Sequence, residues 1–186
     1  MARRLVLYLI GAAIVVLIYG RWVRETAPPE AAGVSCGVDA STVMNGEGIG
    51  NLRIGARVRD VALACPVLSD TVLPGPEGST ERSLFVDLMG DTVRAVVTDE
   101  SIWRIHVTSP GIRTEGGLGV GTRAPALRDL PGARVISGEG HAFVVASSPC
   151  GMSFRLRGLD SAMPRPVAEL PDSVSVDMVL LTGCAT

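Results

Sequence analysis

Leu52-Arg53-Ile54-Gly55-Ala56-Arg57 is the stretch on which the reading of this chain turns, because it recurs as Leu118-Gly119-Val120-Gly121-Thr122-Arg123. In both places alternating apolar residues run into a glycine, and a short helical pattern follows. Glycine suits an extended segment turning sharply into a helix, since without a Cβ it tolerates positive φ. After the first copy, Val58, Val61, Ala62 and Cys65 fall at i, i+3, i+4 and i+7 and predict a helix over about 57–64, which Pro66 stops. After the second, Thr122 offers an N-cap and Pro125 sits in the first turn. Ala124, Leu127 and Leu130 form an inner face, and Pro131-Gly132 ends a helix over about 123–130. Helices this short are marginal alone and must be held by packing on a sheet.

The strands lie outward from these units. Runs at 84–88, 93–97 and 102–108 are separated by Gly90-Asp91 and Asp99-Glu100 turns and predict a meander. Further runs at 134–136, 142–146, 153–156 and 174–181 follow the second helix. In the last, Val174, Val176, Met178 and Leu180 alternate with Ser173, Ser175 and Asp177, which predicts one apolar face and one polar face. Segments 69–82 and 158–172, rich in Pro, Gly, Ser and charge, read as loops. The expected class is α+β: an N-terminal transmembrane helix, then short helices packed on a mainly antiparallel sheet, with the repeat raising two related halves at about 48–110 and 113–186.

The front of the chain has a different character. After Arg3 and Arg4, Leu5 to Gly20 carries no charge, and Arg21, Trp22 and Arg24 follow. That run is long for a signal-peptide core and short for a spanning helix of about 20 residues. Tyr8, Tyr19 and Trp22 suit membrane interfaces, Arg21 can snorkel, and a small-residue cleavage site close behind the core is missing. The expectation is a membrane anchor or uncleaved signal over residues 1–24, touching lipid through residues 5–23, with a linker over 25–35 and an extracytoplasmic domain over 36–186. The orientation expected is a single pass through a bacterial cytoplasmic membrane with the N-terminus inside; the alternative is secretion after cleavage. Cys36 does not read as a lipidation site, because Gly33 stands at its −3 position and the apolar core ends well before it.

Four cysteines are present, Cys36, Cys65, Cys150 and Cys184, and none lies close enough to another for a CxxC or zinc-knuckle motif. An even number in an exported domain reads as two disulfides. Three connectivities are open; Cys36–Cys65 with Cys150–Cys184 keeps each bridge within one half.

A Leu-x-Ile-Gly segment entering a short helix and followed by a β-meander resembles the small envelope domains of the outer-membrane lipoprotein BamE (SmpA/OmlA) and the β-lactamase-inhibitor-protein-like group. The second copy, Thr114-Glu115-Gly116-Gly117-Leu118-Gly119-Val120-Gly121-Thr122, is similar to a T-x-x-G-hydrophobic-G-V-G-[ST] stretch of uncharacterised exported bacterial proteins. The chain departs from the lipoprotein pattern in lacking a lipidated cysteine, and at Ala56, where a capping residue would stand. The resemblance implies a non-enzymatic scaffold or binding module.

The residues themselves argue against most chemistry. A net charge of −2 gives no basic excess for nucleic acid, and 4% aromatics give no stacking platform for bases or sugars. There is no Gly-x-Ser-x-Gly elbow, Walker loop or HExxH. The glycines at 116–121 lack the lysine and the βαβ setting of a phosphate loop, so a tight strand-to-helix connection accounts for them. Cys150, beside Ser147-Ser148-Pro149, has no neighbouring group to activate it and reads as a disulfide partner. Period two places His106 beside Arg104 on a solvated face and Trp103 in the core with Ile105 and Val107; His141 reads as a turn residue. No catalytic residue, metal ligand or cofactor is expected. The leading expectation is a membrane-anchored extracytoplasmic binding or scaffold domain in envelope assembly, working with an envelope protein partner. The alternatives are an exported enzyme or small-ligand receptor whose site is assembled from distant residues, recognisable by a concave pocket with convergent polar groups, and an inhibitor of a secreted hydrolase.

Overall fold

Gly55 and Gly121 turn the chain in the same way, with φ of +80° and +88°. In the computed structural model, which describes residues 35–75, 78–159 and 165–184, the two segments make matching backbone bonds. Gly55 N donates to Ile102 O and Gly121 N to Val176 O; Ile102 N donates to Ala56 O and Val176 N to Thr122 O; Val58 N donates to Glu100 O and Ala124 N to Val174 O. The helices that follow are α1 (Val58–Ala64) and α2 (Ala124–Arg128). Neither has a side-chain N-cap: Arg57 and Arg123 hold those positions, and Thr122 Oγ1 accepts the Gly119 N–H instead.

Both helices are short, and the fold is dominated by strands. A two-stranded hairpin, β1 (Gly48–Ile49) and β2 (Leu52–Arg53), precedes α1. The first meander is β3 (Val67–Pro74), β4 (Thr80–Leu88), β5 (Asp91–Thr98) and β6 (Ser101–Val107). The second is β7 (Arg134–Gly138), β8 (His141–Val145), β9 (Met152–Arg157) and β10 (Ser175–Leu181). All eight form one antiparallel sheet in the order β3-β4-β5-β6-β10-β9-β8-β7. The α+β expectation is therefore corrected to a mainly β fold. Part of the discrepancy is the segment 69–82, expected as a loop. It is mostly the β3–β4 hairpin, hidden because β3 is an edge strand whose residues are largely exposed and so lack apolar alternation. The expected spanning segment, residues 5–23, lies outside the described residues; among the described residues no helix is long and apolar enough to cross a membrane.

The meanders meet at β6 and β10, where Val107 faces Val179, His106 faces Leu180 and Ile105 faces Leu181. Each of these strands carries one bulge, after Ile102 in β6 and after Val176 in β10. Val96 and Val97 oppose Arg104 and Ile102, leaving Trp103 without a partner; Arg155 and Leu156 oppose Met178 and Val176, leaving Asp177 without one. An extra residue moves everything beyond it to the other face. Ile102, Ile105 and Val107 consequently share the core face, as do Val176, Val179 and Leu181, while Trp103 is 42% exposed. The expected placing of Trp103 in the core is overturned, and so is the single apolar face of β10, since Met178 and Leu180 join Phe143 in a separate cluster.

One contiguous core covers the main face. Val61 of α1, Ala124 and Leu127 of α2, and Ile49 and Leu52 of the small hairpin close over Leu84, Val86, Ala95, Ile105, Phe154 and Val179. Two disulfides fasten its edge, Cys36–Cys65 and Cys150–Cys184, with sequence separations of 29 and 34. The first ties the N-terminal turn to the end of α1, and the second ties the β8–β9 connection to the segment after β10. Disulfides persist where thiols are not kept reduced, so they point to an oxidising, extracytoplasmic environment.

Candidate functional site

The sheet's second face is built by what the bulges deliver to it. Arg104 and His106 of β6 point there, as do Met178 and Leu180 of β10; Arg94 of β5, directly opposite His106, joins them. The β3–β4 end, at Pro74 and Gly75, and the β7–β8 turn, at Glu139 to His141, line the same hollow of about 920 Å³. Phe85, Thr92, Thr108 and Arg155 complete the wall. That size falls in the range of small-molecule sites.

Polar groups are fixed around it. Glu81 bridges two arginines, accepting Arg94 Nη2 on Oε2 and Arg104 Nη2 on Oε1, both at 2.8 Å. Arg104 reaches across to Glu139 at 2.5 Å, and its guanidinium also lies 4.6 Å over the Trp103 ring. Arg94 Nε donates to Ser83 Oγ, and Arg155 Nε donates to Asp177 Oδ1 at 2.6 Å. Asp177 is the bulge residue of β10, so the bulge supplies the carboxylate that steadies Arg155.

His106 is part of the same wall. It is only 8% exposed, against the solvated position expected for it. Its Nε2 is buried with no hydrogen-bond partner, and the same is true of Arg104 Nε. Burial pushes the imidazole pKa down to about 3, and Arg104, Arg94 and Arg155 push in the same direction, so the ring is neutral at ordinary pH. A buried polar atom without a partner costs roughly 1–3 kcal/mol.

His141, read as a turn residue, does begin β8 beside the β7–β8 turn, and it also lines the hollow, edge-on to Phe143 at 6.5 Å. The two histidines thus share one cavity, but among the described residues no group of three potential ligands could hold a metal. Cys36, Cys65, Cys150 and Cys184 are all in disulfides and none lines the hollow. The glycines at 116–121 form the tight connection expected of them, with Arg113 donating to Gly117 O and Val120 O. The residues that sequence alone missed are the face partners of His106; their signal was the cluster of arginines on strands, obscured by two bulges.

No family model matches the chain, and no curated protein matches it significantly. Among solved structures it is similar to the uncharacterized protein YfeY from Escherichia coli, with a TM-score of 0.51 and 18% identity over 75% of this chain and 96% of that one. At that identity the likeness concerns the fold alone. None of these comparisons bears on the resemblance of the glycine segments to BamE.

Proposed function

We propose that the domain is a non-enzymatic, extracytoplasmic receptor for a small ligand, and that the hollow on the second sheet face is its binding site. The observation that carries this reading is a cavity of about 920 Å³ lined by fixed polar groups, with His106, whose Nε2 is buried and partnerless, in its wall. Sites of this kind use a few oriented polar atoms within an otherwise apolar surface. The charge-free run from Leu5 to Gly20 supports anchoring of the domain by one N-terminal pass in a bacterial cytoplasmic membrane, with the N-terminus inside.

A ligand-detected NMR screen with anionic, neutral and cationic fragments tests the receptor reading. Compounds of at least one charge class should bind the wild type and lose binding in Thr108→Trp, which places a ring in the hollow from an exposed position. If no class binds, or if Thr108→Trp leaves every hit unaffected, the reading falls.

A second reading, docking of an envelope protein, draws on the edge strand β3, where Leu68 and Val72 are 58% and 61% exposed. Unpaired strand edges accept an added strand. Val72→Lys should then abolish a cross-link formed in cells by the wild type; a cross-link that survives unchanged removes this reading.

A further inference from the structure

The hollow lies on a sheet whose strand order and central pairing have a pseudo-twofold axis. Pairing at the centre of the sheet is symmetric about His106 and Leu180: Val107 meets Val179 as Leu181 meets Ile105. Counted from the bulges, Arg104 corresponds to Met178 and His106 to Leu180. Met178 and Leu180 cluster with Phe143 on this face; of the three Met178 lines the hollow, where Phe85 of β4 is the other large apolar side chain. Arg155 adds a cation across the axis, opposite both Met178 and Phe143.

Each of the three arginines around the axis holds a carboxylate, with Asp177 on Arg155, so what the pairs leave open is a set of N–H donors. Three arginines and two carboxylates line the hollow. Glu81 is occupied in bridging Arg94 and Arg104, and Glu139 is held by Arg104. Among the described residues, these bonds leave Nη1 of Arg94 and both terminal nitrogens of Arg155 uncommitted. The charged groups that act on the His106 ring are Arg104, Arg94 and Arg155, all of one sign. In the tautomer that carries its proton on Nε2, the neutral His106 ring, set among cations, lacks one thing: an acceptor.

We infer that the hollow takes an amphiphilic oxyanion, a carboxylate or phosphate monoester on an apolar body, with the acidic group at His106, Arg94 and Arg155 and the apolar part against Phe85 and Met178. This rests on the receptor reading above and specifies its ligand. Arginine forks match planar and tetrahedral oxyanions, and low local dielectric strengthens the contact. The bound anion would also offset the positive field on His106 and let its Nε2 donate. No proton or bond need be transferred; the step is binding.

Titration of the intact protein with octanoate, octyl phosphate, octanol and inorganic phosphate, followed by calorimetry and by the His106 imidazole NMR signals, tests the assignment. Octanoate or octyl phosphate should bind at least about tenfold more tightly than octanol and than inorganic phosphate, which is about 1.4 kcal/mol on either comparison. His106→Leu, which copies the residue on the other side of the axis, should weaken the anionic amphiphile at least tenfold. Should that variant fail to fold, Arg155→Gln, at a partly exposed position, is expected to do the same. Octanol binding as well as octanoate, or phosphate as well as octyl phosphate, overturns the inference. So does retention of full affinity in both variants. If the four probes do not bind but neutral or cationic fragments still occupy the hollow, the ligand class is wrong and the receptor reading stands.

Discussion

His106 is the residue on which burial and charge act together, and the pH consequence follows from the direction of its shift. Its ordinary value of 6.5 falls to about 3 in the folded protein, first because of desolvation and then because of Arg104, Arg94 and Arg155. Glu81 on β4 and Glu139 in the β7–β8 turn are the carboxylates lining the same hollow, and Asp177 holds Arg155. Between these two pH values the unfolded chain binds a proton that the folded chain refuses, so acidification through that window lowers stability and the full contribution is present above it. Urea unfolding across pH 3 to 7 should therefore show a steeper loss for the wild type than for His106→Leu, by up to one proton. Parallel curves would show that the ring titrates normally. Gly46 supplies a second residue-level case. A Cβ there would lie 2.0 Å from the backbone carbonyl oxygen of Cys150, which the Cys150–Cys184 bridge holds in place. Gly46→Ala should cost about 1–3 kcal/mol in denaturant unfolding; a change below a few tenths would mean that this junction yields easily.

At the scale of elements, the bulge in β6 decides which neighbour is structural. Ile102 is 1% exposed and Trp103 42%, so Ile102→Ala should destabilise by about 2–5 kcal/mol. Trp103→Ala should lose little beyond its contact with Arg104, about 0.5–1 kcal/mol. Reversal of that order in thermal unfolding would restore Trp103 to the core. The same bulge explains what could be read beforehand. The glycine segments at 52–57 and 118–123, and the short helices behind them, were legible because they are local: one glycine at positive φ and a 3.6-residue period. The meander strands that bury a face were legible by alternation. β3 was not, because an exposed edge strand has no apolar rhythm. The site was not legible either, since a single added residue in β6 and another in β10 exchanges the faces of Trp103, Met178 and Leu180. Nothing local in the sequence marks a bulge; it is set by pairing with β5 and β9. The buried position of His106 was hidden for another reason: alternation placed it on the second face correctly but could not show that this face folds into a hollow.

At the scale of the whole domain, the two meanders resemble two modules but share one interior. β6 and β10 are neighbours at the centre of an eight-stranded sheet, and the core runs without interruption from Leu84 and Val86 through Ile105 and Val179 to Phe154 and Val144. Each half caps itself with a short helix, yet α1 and α2 have only seven and five residues, too few to be stable without that common sheet. Each half is also closed by its own disulfide, which spans 29 or 34 residues and restrains the unfolded chain of that half alone, by about 3–4 kcal/mol. Local restraint and shared burial make opposite demands on cooperativity, and burial is the larger: a fully buried side chain such as Ile105 or Phe154 contributes about 1.5–3 kcal/mol, and many lie within reach of both halves. The domain should consequently unfold in one transition, with amides of β6 and β10 exchanging at the global free energy and those of the edge strands β3 and β7 exchanging faster. Removing one bridge by Cys36→Ala with Cys65→Ala should shift that transition as a whole, lowering both halves together. Two separated transitions in hydrogen exchange, one for each meander, would show instead that the pseudo-twofold axis is a seam between independent domains.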